Sequence, residues 1–208
     1  MNNSWTTENE RVFLLHCLEL CSAAFRGPDR ETCEGIAGQA VPVLVQNCPA
    51  AAGTILKPLT GMQALFAEGA ESLCDEIASV HVSLFVNDAG GTPVPPYESC
   101  HVGESRKVMG PQAMAMRERL AEAGVEPEGG EPPDHLPLEI EYLYLLLVRC
   151  WGEGDEASCP KAAAFASDVM LPWCHKFREA IAETGHEGFF LLSADLLLAA
   201  LEEVASLQ

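Results

Sequence analysis

Basic residues are scarce in this chain: 12 Lys+Arg stand against 31 Asp+Glu in 208 residues, a formal charge of −19. Proteins that bind nucleic acid draw most of their affinity from a basic footprint that displaces phosphate counterions, and none is present here. An anionic membrane surface would repel the chain for the same reason. Long apolar runs are missing too. The greasiest stretches are Tyr142–Val148 and Phe189–Leu201, and Asp195 interrupts the second. Crossing a bilayer takes about 18–20 apolar residues, so no stable membrane insertion is expected. The start, Met1-Asn-Asn-Ser-Trp-Thr-Thr-Glu8, lacks the basic and apolar blocks of a secretory signal. The nine cysteines are odd in number and irregularly spaced, and a chain this long needs no staples. Reduced thiols and a cytoplasmic location are therefore expected.

The residue sets of catalysis and metal binding are also thin. Cys17 and Cys21 lie one helical turn apart among Phe13, Leu14, Leu18 and Leu20, and no second pair completes a zinc site. Core packing is the better reading for them, and for Cys174-His175 beside Trp173 and Phe177. There is no phosphate-binding loop, no dinucleotide glycine fingerprint, no His-Glu-x-x-His and no Gly-x-Ser-x-Gly. No catalytic centre, metal or cofactor is expected.

What the chain does have is helical period. Val12, Leu15, Leu18, Cys21 and Phe25 mark one face of a first helix, with Thr6 or Thr7 placed to cap it. Pro28-Asp29 opens a second helix, and Pro42, Pro49 and Pro58 predict shorter pieces to about Gly61. Amphipathic helices follow over 69–86 and 104–122, then over 136–151, 160–170, 172–183 and 189–207. β-Branched alternation is almost absent. The fold class is all-α, one unit of about eight to ten helices without internal repeats. Asn87–Pro96 and Gly124–Pro133 cannot be helical, because glycine pairs and prolines forbid it. The first break serves as a hinge, 87–96, between helical halves 1–86 and 97–208.

The residues beside the breaks carry the most information. Pro95-Pro-Tyr-Glu-Ser99 follows the first, and Glu131-Pro-Pro-Asp-His-Leu-Pro-Leu-Glu-Ile-Glu141 closes the second. Asp134 is placed to cap the helix that follows, with Pro137 in its first turn. His135, Glu139, Tyr142 and Leu146 share one face of that helix, polar at its start and apolar further on. A capped helix with a half-exposed His–Glu pair accounts for this on its own. A small helical enzyme or nucleotide-binding protein using His135 with Asp134 or Glu139 is a rival reading, because a carboxylate beside histidine suits general-base chemistry.

Taken whole, Glu131-Pro-Pro-Asp-His-Leu with Glu139 and Glu141 resembles the signature of the TorD/DmsD family, cytoplasmic chaperones of molybdenum-cofactor oxidoreductases. Pro95–Ser99, Leu84-Phe85 and Leu171-Pro-Trp173 with Phe177 are similar to that family's other markers and occur in its order. The resemblance covers roughly residues 70–205. It implies one all-helical TorD-like domain over 1–208. It also implies that the chain binds the twin-arginine leader, the apo-form body of a molybdopterin oxidoreductase catalytic subunit, or both, until the cofactor is inserted. The leader surface it implies comprises Leu84, Phe85, Pro96, Tyr97, Glu98, Ser99, Asp134 and His135, with Glu139 and Glu141 as neighbours. His81 stands where an aromatic residue is expected. A nitrate-reductase-type assembly chaperone with a non-exported client is the alternative within the same family. A monomer or a half-swapped homodimer is expected from the hinge. Residues 98–141 hold ten acids and four bases, which suits a basic client segment.

Overall fold

Thr7 and Glu10 close a capping box at the head of α1 (Glu8–Phe25). The Glu10 amide donates to Thr7 Oγ1 at 3.3 Å and the Thr7 amide donates to Glu10 Oε2 at 2.9 Å. Amides that a helix start leaves unpaired are thereby satisfied. Asp29 does the same for α2 (Arg30–Gly35), its Oδ1 accepting from the Thr32 amide at 2.8 Å. These are the caps expected from the sequence.

The computed structural model describes residues 5, 7–50, 52–86, 92–103, 107–126 and 130–207. Most of the expected hinge (87–91) and the start of the helix expected at 104 (104–106) lie outside the described residues. After α2 come α3 (Val41–Asn47), α4 (Gly53–Ala67), α5 (Ala70–His81), α6 (Glu98–His101), α7 (Pro111–Glu122), α8 (Leu136–Gly152), α9 (Ser158–Ala164), α10 (Leu171–Glu183) and α11 (Phe189–Ala205). π-Helical turns at Ile36–Ala40 and Phe165–Met170 join α2 to α3 and α9 to α10, and a third, Val82–Val86, extends α5. The described residues thus form nine continuous helical rods and no strand. None of these helices is long and apolar enough to cross a membrane.

Three proline expectations are corrected. A proline ring crowds the carbonyl four residues back, which normally ends a helix. Pro42 and Pro172 instead fall just after the π-turns, near the starts of α3 and α10. The wider bonding of a π-turn makes room for the ring, so each rod runs on. Pro58 is buried inside α4, where one backbone bond is lost but the helix persists. The four-residue α6 was not foreseen, and α7 begins at Pro111 rather than 104.

α1 packs along α8 and α11, while α4 and α10 flank α11. Both sequence halves therefore feed one core. Phe25 is its hub: its ring meets Phe177 at 5.3 Å and Phe85 at 6.0 Å edge-on, and Phe190 at 6.3 Å. Those contacts link α1 to α10, to the π-turn after α5 and to α11.

The cysteines correct the expectation of fully reduced thiols. Cys33 and Cys74 form a disulfide tying α2 to α5, with Cα atoms 5.7 Å apart. Cys150 and Cys159 form a second, between the end of α8 and α9, at 5.2 Å. Helix packing brings Cys33 and Cys74 together across 41 residues, which spacing cannot reveal. The other five are free, and Cys17, Cys21 and Cys174 lie in the core as expected. Burial pushes those three thiols far above the ordinary range.

Two outcomes follow from this packing. Truncating the hub, Phe25→Ala, should cost about 3–5 kcal/mol in denaturant unfolding; a loss under 1 kcal/mol would mean the hub is misplaced. Alkylation of the denatured, non-reduced chain should label five cysteines, and all nine after reduction. Nine labels without reductant would show that neither disulfide forms.

Candidate functional site

The two motif segments meet as a single antiparallel bridge between Tyr97 and His135. The Glu98 amide donates to the Asp134 carbonyl at 3.0 Å, and the Leu136 amide donates to the Pro96 carbonyl at 2.9 Å. The second bond uses an amide that the start of α8 would otherwise leave unpaired. His135 is the residue that caps α8, and its side chain makes no capping bond. The expectation that Asp134 caps this helix is therefore corrected. Its Oδ2 instead accepts from the Ser99 amide at 2.9 Å, in the first turn of α6. Asp134 caps another helix, across 35 residues of sequence.

Around this clamp the implied surface divides in two. Leu84, Phe85, Pro96, Glu98, Ser99, Asp134 and Glu139 are buried, whereas His81, Tyr97, His135 and Glu141 reach solvent. Leu84 and Phe85 belong to the core. His81 packs edge-on against Phe85 at 5.2 Å, with a ring nitrogen 3.3 Å from the Phe25 carbonyl. Its ring lies over Gly27, where a Cβ would stand 2.6 Å away and φ is +84°. Only glycine fits there. Burial lowers the pKa of His81, and burial lowers that of His135 as well.

Tyr97 and His135 stack at 5.0 Å, tilted by 31°. The Tyr97 hydroxyl donates to Glu131 Oε2 at 3.1 Å, and burial together with that carboxylate pushes its pKa up to about 12. Glu141 pairs with Arg26 at the end of α1. Two open cavities flank that pair. One, of about 350 Å³, lies between α1 and α8 beside Leu18, Ile140 and Tyr144. The other, of about 430 Å³, is lined by Leu120, Val125, Leu138 and Leu145. Sequence reasoning did not single out Glu131 or Arg26. Glu131 stood inside the quoted motif, but Arg26 is 115 residues from its partner and left no local signal.

Beneath the clamp lies a pair of buried carboxyls. Glu139 is fully buried and accepts from Trp173 Nε1 at 3.0 Å. Glu98 Oε2 and Glu139 Oε1 meet no donor. A proton on Glu139 changes this, making it a donor to Glu98. Burial, and then the Glu98 charge, raise the pKa of Glu139; burial raises that of Glu98, against weaker opposing effects of Glu139 and Arg119. Among the described residues, no group of three or more His, Cys, Asp and Glu is arranged to hold a metal ion.

That proton makes stability depend on pH. In the unfolded chain both glutamates ionise near pH 4.3 or so. In the folded state Glu139 keeps its proton higher, so its contribution is complete below the unfolded value and is lost as pH rises through the folded one. Glu139→Gln can still accept from Trp173 and donate to Glu98, without titrating. Unfolding titrations across pH 5–9 should show stability falling less in the variant than in the wild type. Parallel curves would place the pH dependence elsewhere.

With this geometry in view, the chain's relatives can be compared. A profile described as the nitrate reductase delta subunit matches residues 47–179, more than half of the chain, including both motif segments. The chaperone protein TorD of Photobacterium profundum is 29% identical over 130 residues, 60% of each chain. TorD of Vibrio parahaemolyticus is 30% identical over 110 residues, 50% of this chain and 51% of that protein. The matched region thus spans only about half to three-fifths of these relatives' length. A crystal structure described as a redox enzyme maturation protein from Archaeoglobus fulgidus superposes with a TM-score of 0.56. It covers 90% of this chain and 93% of that one at 20% identity, which shows a shared all-helical fold. The chain belongs to the family of the nitrate reductase delta subunit and the TorD/DmsD proteins.

Proposed function

We propose that this chain is a non-catalytic, cytoplasmic maturation chaperone that holds the twin-arginine leader of a molybdopterin oxidoreductase precursor until its cofactor is inserted. Relatives named as TorD chaperones support the role. The observation that carries it is the clamp: two motifs 35 residues apart are bonded through their backbones and through Asp134, leaving Tyr97 and His135 stacked and partly exposed. An apolar leader segment is bound there by side-chain burial, and the clamp fixes the shape of the surface beforehand. Burying one large side chain gives about 1.5–3 kcal/mol. A few such anchors reach the roughly −8 kcal/mol of a micromolar complex, which can still be released.

The rival enzymatic reading loses its geometry. Asp134 is turned onto the Ser99 amide and Glu139 onto Trp173, so neither carboxylate orients His135 as a general base would require. A second chaperone reading, with a client that is not exported, is favoured by the family profile being that of a nitrate reductase subunit. It differs in client, not in fold.

The test is titration of the purified protein with a fluorescent synthetic leader, an Arg-Arg pair followed by an Ala/Leu helix. Wild type should bind it at micromolar concentration. Tyr97→Ala and His135→Ala should each weaken binding roughly five- to tenfold, the worth of a partly buried ring. Melting curves should change little, because the bridge is made by backbone atoms. Unchanged affinity in both variants would remove this surface from the function. Absence of wild-type binding to the leader, with binding to the apo-enzyme body, would favour the non-exported client.

A further inference from the structure

A leader with a basic front needs carboxylates to receive it, and those of the two clamp motifs are buried or already bonded. Glu98, Asp134 and Glu139 are buried, Glu141 pairs with Arg26, and Glu131 accepts from Tyr97. We propose that the arginine pair seats instead in a separate trench between the end of α4, the outer face of α5 and the turn before α11. This inference rests on the function proposed above.

The trench is a cavity of about 310 Å³. Leu65, Leu73, Ile77, Val80 and Phe189 form its apolar floor and walls, and Glu68, Glu76 and Glu187 stand exposed around it with His186. No Lys or Arg lines it. Among the described residues these three glutamates form no ion pair; the arginines that pair do so elsewhere, Arg26 with Glu141, Arg30 with Glu34, Glu71 and Asp75, and Arg178 with Asp195. Gly69 and Gly188 border it with φ of +150° and +140°, where a side chain would be strained. An apolar floor under an unpaired triad of negative charge fits one chemistry: a segment with adjacent guanidinium groups and large apolar side chains. Guanidinium suits it better than ammonium, because its planar fork binds carboxylates in pairs of bonds.

The trench also adjoins the proposed leader surface. Phe190, which lines it, lies 5.9 Å from the ring of His81, a member of the implied leader surface. A peptide whose apolar middle rests against Tyr97 and His135 can then extend past His81 with its arginines toward Glu76 and Glu187.

The probe is the fluorescent Arg-Arg peptide, with Lys-Lys and Gln-Gln versions. The protein variant is the triple Glu68→Gln, Glu76→Gln, Glu187→Gln, which alters only exposed groups. Wild type should prefer Arg-Arg to Lys-Lys, and both to Gln-Gln. Exposed ion pairs are worth roughly two- to fivefold each, so the triple variant should bind the Arg-Arg peptide about tenfold more weakly. It should bind the Gln-Gln peptide as wild type does, and its affinity should depend less on salt. Tyr97→Ala should weaken all three peptides by the same factor. If the wild type binds the Arg-Arg peptide and the triple variant matches it, the trench assignment is overturned while the leader reading stands. If the wild type binds none of the peptides, the leader reading itself fails and the trench assignment falls with it.

Discussion

The bonds between Glu98, Ser99 and Asp134 are the constraint on which the rest of the site depends. A helix of four residues such as α6 has no independent stability, since nucleation is costly and its amides are unpaired. Here one Asp134 side-chain oxygen and one Asp134 carbonyl take two amides at its head. The return bond from Leu136 to Pro96 satisfies the start of α8. Two helix starts thus cap each other, and neither is complete alone. Side chains at the clamp are free to vary in exposure because backbone atoms hold it shut, which leaves the Tyr97 and His135 rings available at the surface.

The same clamp explains why carboxyls are buried under it. α6 presses Glu98 toward Glu139, and Trp173 of α10 supplies one donor to the pair. Two ionised carboxylates in such a place would repel each other with little water to screen them. Retaining one proton converts that repulsion into a hydrogen bond. α6, α8 and α10 are therefore joined by a contact whose strength follows protonation. His101 at the end of α6 adds a further link to α10, stacking on Trp173 at 5.7 Å with a ring nitrogen 2.7 Å from the Pro95 carbonyl.

Local information was legible in the sequence, and cross-chain information was not. Thr7 and Asp29 cap the helices they precede, because capping is decided within three residues. The apolar face of α5 was equally plain, since helical period is local, and that of α1 was read correctly at Leu18, Cys21 and Phe25 but not at Val12, which is exposed. Asp134 was misread for the same reason: its position before Leu136-Pro137 is that of a cap, yet tertiary structure offered its carboxylate a buried amide in α6. Pro42 and Pro172 ended helices on paper because the π-turns ahead of them have no sequence signature of their own. The motif segments identified the site's location, while burial, which decides what each residue there can touch, depends on packing from both halves of the chain. Cys33 meeting Cys74 and Arg26 meeting Glu141 are products of that packing.

Charge placement then separates holding from recognition. A client arginine approaching Glu141 must displace Arg26, so the gain from the new pair is offset by the loss of an existing one. At Glu68, Glu76 and Glu187 no such exchange is needed, and the attraction adds in full, though screened by salt. On the proposed reading, the trench acids are better placed to sense whether a peptide carries arginines, and the Tyr97 and His135 rings to determine how long it stays. Rim charges of this kind act chiefly on encounter, whereas buried apolar anchors act on release. A chaperone that must admit one class of leader and later surrender it benefits from keeping the two on different surfaces. Changes in salt or in the client's basic front can then alter capture without disturbing the clamp that shapes the binding surface.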